Sequence, residues 1–592
     1  MTKFMEKLQK QKSILVLVCV LMISFGAMLY FGNQKQGYHV DEIYSYGLSN
    51  SEYLPFMHFG EHDYDVKDWM NEYGAGESLG DLFSNLWKDF LILKECDFNF
   101  YNSEIYEAYR VAQANSQDTY TTTWVSGQNY QDYLAVSDSN TFNYASVYYN
   151  QRGDVHPPFF YILLHTICSV FQGVFSKWFG LGLNIVILLL ALVVIYRMCD
   201  KHFGGKMPAI TAVCMYAFSV GFMSTAMFIR MYALLTLMTL LCTYVHLNLF
   251  KEDFKFNKRI LAALFFSVLG GYYTQYYFVL YAIGMATVTM IVMLLKRKWK
   301  GMINYVLTIG SAAVTGILIW PFSVKHVFGG YRGQASLGVL QSGNFYWYKA
   351  EWMLYYIVSN VFGGYIWIPI ALAIASITIC FISIWHKKRF PFAKTAILSV
   401  PIVFYALIVG QISPFLTDRY VMCTYPFWCI MCTAAVYYVM RNLIHKSDSN
   451  MEKIFAKSRN TIILIVFIVL IGVSNYVVNE PGYIFKDGQE NYKVPDNTDC
   501  VFIIPNGSYN ESSEEISIMA QCRRVGIVFE DNLDVLAEDY RYQSGDYLLV
   551  EITNSLDENT VLKKVREKLG VEVLKELGRE PGSGCIRILL GQ

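Results

Sequence analysis

The run "PFFYILLHTICSVFQGVF", residues 158–175, decides how this chain is threaded. Eleven other apolar runs approach or reach the length of a membrane span, at about 13–31, 180–196, 207–226, 231–249, 260–276, 277–295, 302–322, 363–385, 394–412, 420–440 and 460–478. Between them lie basic clusters at 197–206, "KEDFKFNKR" (251–259), "KRKWK" (296–300), "HKKR" (386–389) and 441–459. If 158–175 does not cross, all of these clusters join Lys3, Lys7, Lys10 and Lys12 on one side, which the positive-inside rule makes the cytoplasm. If it crosses, every one of them moves outside. The run is therefore expected to be interfacial or re-entrant. The chain then reads as a polytopic α-helical membrane protein of about 11 transmembrane helices, its N-terminus cytoplasmic and its C-terminus outside.

Composition agrees with that class. Of 592 residues, 54% are hydrophobic and 16% charged, and mean hydropathy is +0.30. The formal net charge of zero conceals a segregation by side, and nucleic acid is not expected among the partners. The cysteines show no metal-ligand spacing, and Cys500, Cys522 and Cys585 are an odd number in the C-terminal region. The lysine-flanked run at 13–31 lacks an A-x-A cleavage site and is expected to remain as the first span.

The segment 32–157 then lies outside. It carries 19 Asp and Glu against 6 Lys and Arg, and "LGDLFSNLWKDFLILKE" within it has helical spacing suited to the membrane surface. Four chemically loaded stretches fall at outward positions: Asp41 and Glu42 after the first span; Asp154 and His156 before Pro157 and Pro158; Arg230 and Tyr232 in "FIRMYALL"; and Asp418, Arg419 and Tyr420 in "SPFLTDRY". An outward loop at about 323–350 adds Lys325, His326 and Arg332. Such a set suits group transfer from a lipid phosphate. Arginine forks and lysine donate to phosphate oxygens, a carboxylate takes the proton of an acceptor hydroxyl, and the phosphate leaves without a strong acid.

In order along the chain, "VDEIYSYGLS", "DVHPPFFYILLH", "IRMYALLTLM", "GGYYTQYYF" and "DRYVMCTYP" resemble the GT-C membrane glycosyltransferases of the protein O-mannosyltransferase and aminoarabinose transferase type, the glycosyltransferase 39-like family. The resemblance covers about residues 12–440. It implies transfer of a sugar from a polyprenyl-phosphate carrier to a hydroxyl of a glycan, lipid or protein on the extracytoplasmic face of the plasma membrane, with inversion. Asp41 then resembles the general base, and Glu42 a neighbour that orients it or meets the acceptor. Asp154 and His156 resemble residues that shape the sugar site or hold a divalent cation. Arg230 and Arg419 resemble residues near the carrier phosphate, and Tyr232 and Tyr420 are further candidate substrate-binding residues. Gln275 stands where many members have a His, which puts a metal or relay at that turn in doubt. Asp41, Glu42, Asp154 and His156 are the candidate metal ligands, and whether His39 or a metal ion completes the site is open.

Beyond residue 480 the pattern changes. "VFIIP", "VGIVFE", "YLLVEI" and "CIRILL" read as buried strands, and "ENTVLKKVREKL" as a helix, giving an extracytoplasmic α/β domain over 481–592 behind a catalytic domain over 1–480. Two rival readings are a transporter or flippase of lipid-linked glycans, and a non-catalytic glycan-assembly protein. Against the transporter, the span centres are nearly free of charge and no internal repeat is visible.

Overall fold

The computed structural model describes residues 2–56, 68–69, 72–73, 79–97, 99–118, 124–329, 331–371, 374, 377, 392–444, 480–485, 493–505, 515–539, 546–553, 556–579 and 585–591. The chain forms two compact units. One comprises Met1–Phe31, Leu181–Trp320 and Ser342–Gly482; the other Gly32–Gly180, Pro321–Gln341 and Tyr483–Gln592.

The first unit is a helical bundle belonging to an integral membrane protein. Among the described residues, seven helices are long and apolar enough to cross: Ser13–Gln34, Lys177–His202, Tyr232–Lys251, Phe278–Leu295, Trp299–Ile319, Lys394–Ile412 and Asp418–Tyr437. The pair Lys206–Ala217 and Val220–Met227, bent by 58° where Ser219 caps the second helix, would make an eighth. The run expected at 260–276 appears as Lys258–Thr274, 17 residues. The run at 363–385 lies largely, and that at 460–478 wholly, outside the described residues. Trp299–Ile319 is only 17% buried within the protein, whereas Tyr232–Lys251 and Asp418–Tyr437 are 67% buried. The two central helices are thus the ones that begin beside Arg230 and at Arg419.

In the second unit, "PFFYILLHTICSVFQGVF" folds as the helix Phe159–Val170, with Pro158 at its N-cap and Phe171 ending it. Twelve residues rise roughly 18 Å, well short of the roughly 30 Å hydrocarbon core. The helix Leu79–Glu95 coincides with the amphipathic stretch read from the sequence. Its inner face packs Ile92 and Leu93 on Trp69, Phe100 and Ile105. One expectation needs correction: 323–350 is mainly helical rather than a loop. A single π-helical turn, Lys325–Gly329, is followed by helices Tyr331–Ser342 and Trp347–Phe362. "YRGQASLGVLQS" mixes small, polar and apolar residues without a clear apolar stripe, so periodicity does not reveal it.

The second unit also contains a six-stranded sheet in the order β1-β3-β2-β4-β6-β5. Its strands are β1 (Val125–Ser126), β2 (Thr498–Ile504), β3 (Arg524–Phe529), β4 (Tyr547–Ile552), β5 (Glu572–Arg579) and β6 (Ile586–Gly591). β2 lies parallel to β3 and β4; the other pairings are antiparallel. Val501, Ile503, Val550, Val561 and Val565 form its core with the helix Glu558–Leu569, which Asp557 caps and Gly570 ends at φ 64°. Four strands were anticipated; β1 and β5 were not. β1 comes from the loop 32–157 and pairs with β3. Gly127, next to it, approaches the Cys522 carbonyl so closely that a Cβ would lie 1.8 Å from the oxygen.

Candidate active site

The acid pair opens the helix Val40–Asn50, and the two carboxylates occupy unlike surroundings. His39 is the N-cap: its Nδ1 accepts the Asp41 backbone N–H at 3.1 Å, while the His39 N–H donates to Glu42 Oε2 at 2.7 Å. The same Glu42 oxygen takes Lys35 Nζ at 2.9 Å, and both side chains are wholly buried. Lys35 also donates to the Tyr483 carbonyl at 2.6 Å. Glu42 is thereby committed to holding the helix start, and its burial removes it from any acceptor. Adjacent helical residues point about 100° apart, so Asp41 projects differently: its side chain is 22% exposed, and Oδ2 lies 3.7 Å from His39 Nδ1. The rest of the helix is anchored by polar bonds. Tyr46 donates to the Ser176 carbonyl at 2.7 Å, Asn50 to the Leu134 carbonyl at 2.6 Å, and Asn150 to the Ser51 carbonyl at 2.8 Å.

A cationic group lies in the same unit. Asp154 caps the end of the helix Tyr144–Gly153 and pairs with His156 Nδ1 at 2.8 Å. Two residues before it, the Arg152 carbonyl accepts both Lys325 Nζ and His326 Nε2 at 3.2 Å. The Arg152 guanidinium sits 4.6 Å over the Tyr149 ring and 6.0 Å over Phe322. Burial, and secondarily the neighbouring Arg152 charge, lowers the Lys325 ammonium to about 8. Burial and then Lys325 push His326 down to about 3, with Asp154 and His156 also close enough to act on it. His326 is therefore neutral at working pH and contributes a hydrogen bond, while Arg152 and Lys325 supply charge. Arg332 stands half-buried in the first turn of Tyr331–Ser342.

The first unit holds its own polar group. Arg230 is buried in the link between Val220–Met227 and Tyr232–Lys251, its N–H donating to the Phe228 carbonyl at 2.8 Å. Tyr232 stacks on Phe228 with ring centroids 5.6 Å apart. Its helix packs against the 3₁₀ turn Asp418–Thr424, where the Arg419 guanidinium lies 5.3 Å over the Tyr420 ring and 5.9 Å over Phe415. Tyr420 meets Tyr277 edge-on at 5.8 Å, and its carbonyl accepts the Tyr405 hydroxyl at 3.0 Å. Gln275 ends Lys258–Thr274, buried, and its Oε1 has no hydrogen-bond partner among the described residues.

The structure thus brings Asp154, His156 and Lys325 together in one unit, and Arg230, Tyr232, Arg419 and Tyr420 together in the other. Sequence reading missed Arg152 and Lys35. The first was legible as a cation two residues before Asp154; the second was legible as a lysine seven residues before Glu42. Among the described residues, no three of His, Cys, Asp and Glu gather as metal ligands. Glu42 is already engaged by Lys35 and His39, so the four candidate ligands do not form a set that fits a divalent cation.

No family model matches the chain, and no curated protein matches it. Solved structures do. The crystal structure of ArnT from Cupriavidus metallidurans bound to undecaprenyl phosphate is 11% identical, covering 73% of this chain and 87% of that one, with a TM-score of 0.39. The apo state of the same protein is 9% identical, covering 82% and 96%, with a TM-score of 0.38. Likeness this remote supplies no residue-by-residue correspondence.

Proposed function

We propose that the chain is a glycosyltransferase of EC 2.4 class, moving a sugar from a polyprenyl-phosphate carrier to a hydroxyl acceptor on the extracytoplasmic face of the plasma membrane. Asp41 takes the acceptor's proton as the acceptor oxygen bonds to the anomeric carbon. The bond from that carbon to the phosphate oxygen breaks on the opposite side, so configuration inverts, and the carrier phosphate leaves with both electrons. Lys325 and Arg152 neutralise it. The observation that carries this reading is the contrast between the two acids. Asp41 is partly exposed at a helix start while Glu42 is sealed off, and in the same unit Lys325 bonds the carbonyl of Arg152. General-base action contributes about 10²- to 10⁴-fold, so orientation and phosphate stabilisation carry the remainder.

Topology supports an active site outside. Segments 32–180, 321–341 and 483–592 share one compact unit, and the first and last of them share a continuous sheet, which belongs on a single side of a membrane. The chain between them then crosses an even number of times, consistent with six apolar runs between 180 and 322 and four between 363 and 478. One further span precedes the unit, giving eleven. The region 481–592 is read as an extracytoplasmic α/β domain completed by β1.

The test offers the purified full-length protein a panel of synthetic undecaprenyl-phosphate hexoses and pentoses, with hydroxyl acceptors, and measures release of undecaprenyl phosphate. At least one donor of the panel should release undecaprenyl phosphate as its sugar passes to an acceptor. Lys325→Met and Arg152→Met should lower kcat for that donor, because the charge they meet develops as the phosphate departs. A panel that binds but never turns over, with vectorial movement of lipid-linked sugar across vesicles instead, would favour a transporter.

A further inference from the structure

We propose that residues 483–485 form a strap that positions Asp41, with Tyr483 acting through His39; this rests on Asp41 being the base of the proposed transfer. The strap lies along the approach to the acid-pair helix. Gln36 N–H donates to the Ile484 carbonyl at 3.1 Å, and the Tyr483 carbonyl takes Lys35 Nζ at 2.6 Å. Lys35 is the wholly buried partner of Glu42, and an ion pair removed from water needs its remaining protons satisfied. The Tyr483 carbonyl answers part of that need. The Phe485 ring adds another contact, 4.9 Å from Lys35 Nζ, and Tyr38 a third at 5.7 Å.

The backbone is unusual where it does this. Tyr483 has φ 64° and Phe485 φ 49°, two non-glycine residues in the left-handed region within three positions. Such conformations persist where the surroundings over-determine them, and they concentrate at functional sites. The Tyr483 ring lies edge-on to the His39 imidazole at 6.2 Å. That imidazole both caps the helix through Nδ1 and lies 3.7 Å from the Asp41 carboxylate. A flip of the ring would put carbon where Nδ1 stands, losing the cap and changing what the carboxylate faces. Tyr483 is therefore a positioning residue. It makes the segment after the last expected span part of the machinery that orients the base.

Tyr483→Gly is the informative variant, because glycine accepts a positive φ freely and removes only the ring. A purely structural role predicts equal or greater stability and unchanged turnover. The strap predicts that kcat for undecaprenyl phosphate release falls by roughly 10- to 100-fold, the scale of a misplaced catalytic group. KM for the donor should stay within about twofold, and Tyr483→Phe should restore kcat. Combined with His39→Gln, Tyr483→Gly should cost nothing further, since both act on one ring. A substrate-free measurement runs in parallel: carbodiimide labelling of the Asp41 carboxylate, read by mass spectrometry, should change in Tyr483→Gly and match wild type in Tyr483→Phe. Wild-type kcat in Tyr483→Gly, losses additive with His39→Gln, or unchanged labelling would overturn the strap. Asp41→Asn separates the two levels. If it still turns over, the base assignment fails; if it is inactive while Tyr483→Gly is normal, only the strap fails.

Discussion

Asp41 and Glu42 are adjacent in the chain and opposite in environment. The sequence makes the pair visible and, through 100° helical spacing, predicts unequal roles. It does not show which residue is buried, because that depends on Lys35, Tyr483 and the cap at His39 meeting in space. Lys325 was legible as an outward lysine, but its altered acidity was not, since burial and the Arg152 charge arise only on folding. That acidity makes a prediction at this scale. An ammonium lowered to about 8 loses its proton as pH rises through 8, and with it the charge proposed to meet the donor phosphate. kcat/KM for the lipid-linked donor, which reports the free enzyme, should therefore fall above about pH 8. Lys325→Arg should remove that alkaline limb, and a limb that persists would assign it to another group.

Among elements, those with strong local periodicity were the legible ones. Leu79–Glu95 and Glu558–Leu569 coincide with the stretches read as amphipathic helices, and four strands lie where short apolar runs predicted them. β1 is two residues long and owes its existence to a partner some 400 residues away, so no local pattern announces it. β5, "EVLKELGR", alternates charge with leucine at a spacing that does not distinguish strand from helix, and its bulges against β6 break the register. Leu79–Glu95 also holds an anomaly. Phe83 and Trp87 face outward, 63% and 64% exposed, while Asp89 is 2% exposed and its oxygens have no hydrogen-bond partner among the described residues. Burial, reinforced by Glu72 and opposed by Lys88, raises its carboxyl to about 7. The folded state thus keeps a proton that the unfolded chain gives up near pH 4. The associated stability is complete below that value and is lost as pH rises through 7. Asp89→Asn should raise the unfolding temperature at neutral pH and flatten this dependence. Each pH unit separating the folded from the unfolded carboxyl is worth roughly 1.4 kcal/mol, so the gain is a few kcal/mol at most. A variant less stable than wild type at pH 7 would contradict the assignment.

For the whole molecule, the charge pattern carries the expected threading, and the run at 158–175 folds as the 12-residue helix Phe159–Val170. What the sequence could not supply is that 32–180, 321–341 and 483–592 form one body, because compactness is a property of distant segments. Reporter fusions check the threading it supports: a phosphatase fused after Gln592 should be active outside, and the same reporter at the N-terminus inactive. Activity at both ends would require an even number of spans. The central claim is that this molecule is an enzyme whose base is Asp41, and Asp41→Asn tests it most directly, in purified full-length protein supplied with the lipid-linked sugar that wild type turns over. The account predicts that sugar transfer falls by at least about 10²-fold, the lower range of general-base catalysis, with thermal stability and donor binding at wild-type levels. Transfer at the wild-type rate by a folded Asp41→Asn protein would contradict it.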